Sequence, residues 1–151
     1  MSGQGLGNRS FRQMLICGLD NSGKTTLIKN YISDLDIYAS KKENKPKGTP
    51  EEKKYDNSNR NQEMYYTTPY INIEKFNLPT HSMPCVVYDI SGQGRYRDNW
   101  SFFYPDVDGI LFVVDCADKD RLPIVVEVLE EMARHPGLAN RNIPFLICAN
   151  K

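Results

Sequence analysis

The apolar positions of this 151-residue chain fall into blocks that switch between two periods. FRQMLICG, residues 11–18, is an almost unbroken apolar run closed by glycine and reads as a strand. KTTLIKNYI, beginning at Lys24, changes to helical spacing, with Leu27, Ile28, Tyr31 and Ile32 on one side. PYINIEKFNL sets Ile71, Ile73 and Phe76 between polar positions, and CVVYDI follows the turn LPTHSMP, so the two read as an antiparallel pair with one strand at a sheet edge. GILFVVDC and IPFLICANK are continuous apolar runs suited to central strands. Between them, LPIVVEVLEEMARH has helical spacing that turns Leu122, Val125, Val126, Leu129 and Met132 inward. The predicted order is β-α-β-β-loop/helix-β-α-β, an α/β domain with a mostly parallel sheet covered by helices.

One stretch breaks this alternation. Residues 38–66 contain hardly an aliphatic side chain, and such a segment cannot repay its ordering entropy by burial. It is expected to be a disordered insertion within a domain spanning 1–151. A basic binding patch is the alternative reading, but seven Lys or Arg stand against five Asp or Glu, a small excess.

Composition narrows the class further. Nineteen basic and nineteen acidic residues cancel, so no global field favours nucleic acid or an acidic membrane. No apolar run approaches the roughly 20 residues that span a bilayer, and MSGQGLGNRS lacks the apolar centre of a signal peptide. Cys17, Cys85, Cys116 and Cys148 lie in or beside apolar runs, without a CxxC pair or a histidine at zinc-ligand spacing. They read as reduced core thiols of a cytoplasmic protein. His81, in a proline-flanked turn, and His135, at a helix end before Pro136, suit turn or capping roles.

The chemistry sits in GLDNSGKT, residues 18–25, which matches GxxxxGK[ST] between a predicted strand and a predicted helix. Gly18 and Gly23 allow the tight curl that aims backbone N–H groups of Leu19, Asp20, Asn21, Ser22, Gly23 and the first helical residues through Thr26 at phosphate oxygens, and the helix N-terminus adds a positive end. Lys24 can reach the β- and γ-phosphates, and Thr25 can place its hydroxyl on Mg²⁺. In YDISGQGRYRDNW, residues 88–100, an acid closing a strand is either a turn residue or a metal-side carboxylate. Downstream of a phosphate loop, Asp89 suits the second. Gly92 can offer its N–H to a γ-phosphate oxygen, and Gln93 can orient a water for in-line attack. Thr67 and Thr68 are both candidates for a second metal-side hydroxyl, on a segment that a γ-phosphate would order. Asn150 and Lys151 suit the first part of a base-recognition element.

With these residues in view, the chain resembles the Arf/Arl family of small GTPases over all but the insertion and the first residues. The resemblance implies a Ras-like P-loop fold, a three-layer α/β/α sandwich with one antiparallel edge strand. Gly18, Lys24 and Thr25 fall on the family's phosphate and magnesium positions, Asp89, Gly92 and Gln93 on its DxxGQ element, and Thr68 on its switch I threonine. DISGQGRYR and NIEKF are closest to a ciliary branch that recruits the BBSome coat to membranes. The implied function is a GTP/GDP switch with Mg²⁺ as cofactor. It hydrolyses GTP slowly, since no arginine finger is evident, and depends on an exchange factor, a GTPase-activating protein and a coat-type, BBSome-like effector. Arg95 and Arg97 read as surface or effector contacts. Trp100, Phe102, Phe103 and Tyr104 read as packing behind switch II and shaping an effector surface. Peripheral membrane or ciliary-base association is the implied location, without nucleic acid.

Departures from the family pattern bear on these expectations. Tyr88 stands where Trp is usual, Ser91 where Gly is usual, and Pro69-Tyr70 where switch I has Ile-Gly. Ser2 replaces the glycine that would be myristoylated. The chain also ends before the aspartate that follows Asn-Lys, a further strand, the SAK-like loop and a C-terminal helix, and is read as truncated, with weaker base selectivity and an uncovered apolar sheet face. The alternative function is a degenerate nucleotide-binding scaffold without significant GTPase activity. A small ATP-using kinase is disfavoured, because the insertion carries only Arg60 where a lid would need arginines.

Overall fold

A computed structural model describes residues 11–31, 70–78 and 83–151. The expected insertion at 38–66, Thr67, Thr68, Ile32, His81 and the first ten residues lie outside them. Five strands form one sheet in the order β2-β3-β1-β4-β5: β1 Arg12–Cys17, β2 Ile71–Leu78, β3 Met83–Ile90, β4 Gly109–Asp115 and β5 Phe145–Asn150. β2 runs antiparallel to β3, pairing Ile71 with Ile90 and Leu78 with Met83, while β3-β1, β1-β4 and β4-β5 are all parallel. The α/β/α architecture with one antiparallel edge strand is therefore the observed fold. Alternation along β1 splits the core in two. Leu15 and Cys17 face one side, with Trp100, Tyr104, Phe112, Val125, Val128 and Met132. Ile16 faces the other, with Cys85, Val87, Val113 and Ile28, the last on the helix α1 that occupies residues 24–31.

Helix α2, Leu122–Arg134, buries Val125, Val128 and Met132, with Leu129 packed beside them. Leu122 and Val126, expected to face inward, are 37% and 54% exposed. Period 3.6 allows more than one apolar stripe in LPIVVEVL. The stripe that meets the sheet is Val125, Val128 and Met132. His135 ends α2 and accepts the Gly137 N–H through Nδ1 at 3.0 Å, capping the short helix α3, Pro136–Ala139.

Two other expectations change. IPFLICANK, expected as a central strand, forms β5, which among the described residues pairs with β4 alone, and Phe145, Leu146 and Ile147 are 42%, 64% and 53% exposed. An apolar run marks a strand suited to two covered faces without saying how many neighbours it has. Of the four free cysteines, Cys17 and Cys85 are buried and Cys148 is partly covered. Cys116, just past the end of β4, is exposed rather than a core thiol. Among the described residues, no helix is long and apolar enough to cross a membrane.

Candidate functional site

The carboxyl ends of the parallel strands converge, which is where ligands sit in open α/β sheets. β1 ends in the loop 18–23, β3 delivers Asp89, β4 delivers Asp115 and β5 delivers Asn150. The loop takes its shape from residues that tolerate left-handed backbone: Gly18 at φ 135°, Asn21 at φ 62° and Gly23 at φ 91°. A side chain at Gly23 would also meet the Asn150 amide.

Lys24 folds back beneath the loop, its Nζ donating to Gly18 O at 3.0 Å and Leu19 O at 2.8 Å. An ammonium has three donors, so two carbonyls aim the group and one donor is left for a phosphate. Burial pulls Lys24 below the ordinary lysine value, while the negative charge of Asp89, first among its neighbours, pulls it back up. The Thr25 hydroxyl donates to Asp89 Oδ2 at 2.5 Å. Asp89 Oδ1 and Ser22 Oγ are buried and find no partner among the described residues. Burial raises the Asp89 carboxyl above its usual range, opposed by the Thr25 hydrogen bond and the Lys24 charge. A hydroxyl and a buried, half-satisfied carboxylate side by side, next to a lysine, suit a divalent cation and a phosphate. Among the described residues, no group of three or more His, Cys, Asp or Glu is placed to hold a metal ion.

The segment after β3 lies against this loop. Gly92 is packed so closely that a Cβ would collide with backbone at Gly18, Leu19 and Asp20. Gln93 Oε1 accepts from Arg95 Nε at 3.2 Å. A 3-10 helix over Gly94–Phe102 follows, longer than such helices usually run. Trp100 is buried and donates its indole N–H to Ser91 O at 2.9 Å. Tyr104 is buried and Phe103 packs on the core, but Phe102 points outward at 76% exposure rather than packing behind the segment. Arg95 lies over the Tyr96 ring at the surface, as expected. Arg97, expected at the surface too, turns inward to Gly92 O at 3.1 Å.

On the far side of the loop, Asn150 Nδ2 donates to Ser22 O at 2.7 Å. Lys151 Nζ bonds Asn21 O and reaches Asp115 Oδ2 at 2.8 Å. That hydrogen bond is the chief reason the Asp115 carboxyl lies below its usual range. Lys24, Thr25, Asp89, Gly92, Asn150 and the loop residues Leu19–Gly23 thus come together, with Gln93 and Lys151 at the margin and Thr26 exposed on the first turn of α1. Sequence reasoning missed Asp115, Arg97 and Arg121. Asp115 carried a usable signal, since it closes an apolar strand just as Asp89 does. The two arginines carried none.

Residues 54–151 match the ADP-ribosylation factor family (Arf). The chain belongs to the ADP-ribosylation factor family. It is 37% identical over 138 residues to ADP-ribosylation factor-like protein 6 of Danio rerio, covering 91% of this chain and 60% of that protein. It is 31% identical over 139 residues to ADP-ribosylation factor-like protein 5 of Caenorhabditis elegans, covering 92% and 61%. The structure of the Arl6 BBS3 small GTPase from Trypanosoma brucei with bound nucleotide analogue GppNp superposes with a TM-score of 0.64 at 27% identity, covering 91% of this chain and 65% of that one. The chain therefore spans about 60% of the length of these curated relatives. The match to the Arf family itself begins beyond the phosphate loop, but alignments covering nine-tenths of the chain take the loop in.

Proposed function

We propose that this Arf-family chain is a guanine-nucleotide switch that binds GTP and GDP with Mg²⁺ and hydrolyses GTP slowly. The observation that carries the proposal is the Thr25–Asp89 contact beside the buried Lys24, at the mouth of a loop whose backbone is curled by three left-handed residues. Lys24, aimed by two carbonyls, gives its remaining donor to the phosphates, and the N–H groups from Leu19 to Thr26 surround them. Thr25 and Asp89 would hold Mg²⁺, joined by Thr68 from the switch I segment. When bound, the ion neutralises charge on the β- and γ-phosphate oxygens. Gly92 offers its N–H to the γ-phosphate, and Gln93 orients water once it leaves Arg95. Asn150 and Lys151 brace the loop and take the base side.

At the level of the cell, the likeness to proteins named Arl6 supports a role in membrane or ciliary trafficking. The switch would act in the cytoplasm, peripherally on membranes or at the cilium base, with an exchange factor, an activating protein and a BBSome-like coat as partners. Titration of fluorescent GDP and a GTP analogue in Mg²⁺ and in EDTA tests the core of the reading. Binding should require Mg²⁺, and Thr25→Ala should weaken it about tenfold or more. No binding in Mg²⁺ rejects the reading, whereas binding with no turnover of GTP identifies a nucleotide-holding scaffold.

A further inference from the structure

Gly92 stands between two peptide groups that are each held by a side chain from the following 3-10 helix. The group carrying its N–H is fixed through Ser91 O, which accepts from Trp100 Nε1 at 2.9 Å. The next group is fixed through Gly92 O, which accepts from Arg97 Nε at 3.1 Å. The Gly92 N–H lies in the plane of the first group, φ and ψ of Gly92 relate that plane to the second, and each plane is held by one of these hydrogen bonds. The other branch of the Arg97 guanidinium faces Asp20 in the phosphate loop, Nη2 to Oδ1 at 4.0 Å. Asp20 Oδ1 is held in turn by Arg121 Nη1 at 3.1 Å, and Arg121 also bonds Asp118 Oδ2 at 2.5 Å ahead of α2. Arg97 is three-quarters covered, with 23% of its side chain exposed, so its charge is only partly screened.

We propose that Arg97 is a positioning residue for the third phosphate. Its planar fork ties Gly92 to Asp20 and so holds the Gly92 N–H at a fixed place beside the phosphate loop. Trp100 supplies the other anchor and Arg121 keeps Asp20 in place. Because Gly92 serves the γ-phosphate and not the diphosphate, the clasp sets selectivity for the nucleoside triphosphate over the diphosphate. This rests on the nucleotide-switch reading and names the residue that would tune it.

The test is affinity of the whole chain for GDP and for a non-hydrolysable GTP analogue in Mg²⁺, in wild type, Arg97→Ala, Asp20→Asn and the double variant. Arg97→Ala should lose about tenfold more affinity for the triphosphate than for the diphosphate. Asp20→Asn should reproduce much of that difference, and the double variant should add little to either single change. A general structural role would weaken both nucleotides alike, and that result, or full additivity, overturns the proposal. Should Arg97→Ala not fold, Arg97→Gln carries the same comparison, since it keeps a donor for Gly92 O and loses the charge facing Asp20. Wild-type protein that binds neither nucleotide removes the switch reading itself. Wild type that prefers the triphosphate, with Arg97 variants preferring it equally, removes only the clasp.

Discussion

Thr25 Oγ1 donates to Asp89 Oδ2 at 2.5 Å, joining the first turn of α1 to the end of β3 across 64 residues of sequence. The other carboxylate oxygen is buried and has no partner among the described residues. Native interiors rarely leave a charged oxygen so placed unless something else is to bind it.

Replacing Asp89 by Asn should therefore separate stability from function. Burial raises the Asp89 carboxyl above its ordinary value, so the folded protein holds that proton more tightly than the unfolded chain does. The unfolded chain binds fewer protons between the ordinary and the raised value, and stability falls as pH rises through that window. In EDTA at neutral pH, Asp89→Asn should relieve the cost of burying that charge and melt higher than wild type. It should also lose the part of acid-side pH dependence that Asp89 contributes. In Mg²⁺ the same variant should bind nucleotide more weakly. Thermal melts against pH in EDTA check the first half, and a variant less stable than wild type there would contradict it.

A methyl group at Gly92 has nowhere to go. The ideal Cβ collides with main-chain atoms of Gly18, Leu19 and Asp20, none of which can swing aside as a side-chain end would. Gly92→Ala should cost about 1–3 kcal/mol of stability by overpacking, read from denaturant midpoints at unchanged slope. It should weaken nucleotide binding as well, because either the loop or the 91–93 segment must move.

Much of this site could be read from the sequence because its residues sit where period changes. Gly18 closes the β1 run, Lys24 opens the helical spacing, and Asp89 closes the β3 run, so composition and position coincide. The antiparallel pairing of β2 with β3, with one of the two at an edge, followed from the same runs, whereas the order β2-β3-β1-β4-β5 did not. What could not be read was rotation and neighbour count. The spacing turns Val126 inward and passes over Val128, yet Val128 is buried and Val126 exposed. Arg97 looked like its exposed neighbour Arg95, and only the fold of the 3-10 segment turns it toward Gly92 and Asp20. β5 has the composition of a central strand but one partner among the described residues.

Gln93 tests the hydrolytic step apart from binding. Its side-chain oxygen accepts from Arg95, at the edge of the loop rather than within it. Gln93→Leu removes the group that orients water and leaves Lys24, Thr25 and Asp89 untouched. Single-turnover GTP hydrolysis should fall by about tenfold or more while nucleotide affinity stays within about twofold of wild type. Equal turnover in both proteins would take Gln93 out of the mechanism.

Among the described residues, β5 pairs with β4 alone and leaves an edge to which another chain could add. Phe145 and Ile147 lie on one face and Leu146 on the other, so apolar side chains are open to water on both sides of an edge that has no partner among the described residues. Such an edge templates pairing with another chain, and a charge on it opposes that pairing. Leu146→Lys removes little buried area, because the residue is 64% exposed, and should change stability by no more than about 0.5 kcal/mol. It should nevertheless lower concentration-dependent association, seen as a smaller weight-average mass in sedimentation or light scattering. Unchanged association in Leu146→Lys and Ile147→Lys alike would show that another surface drives it, leaving exposed Tyr70 with Ile71 and Ile73 of β2 as the next apolar surface to charge.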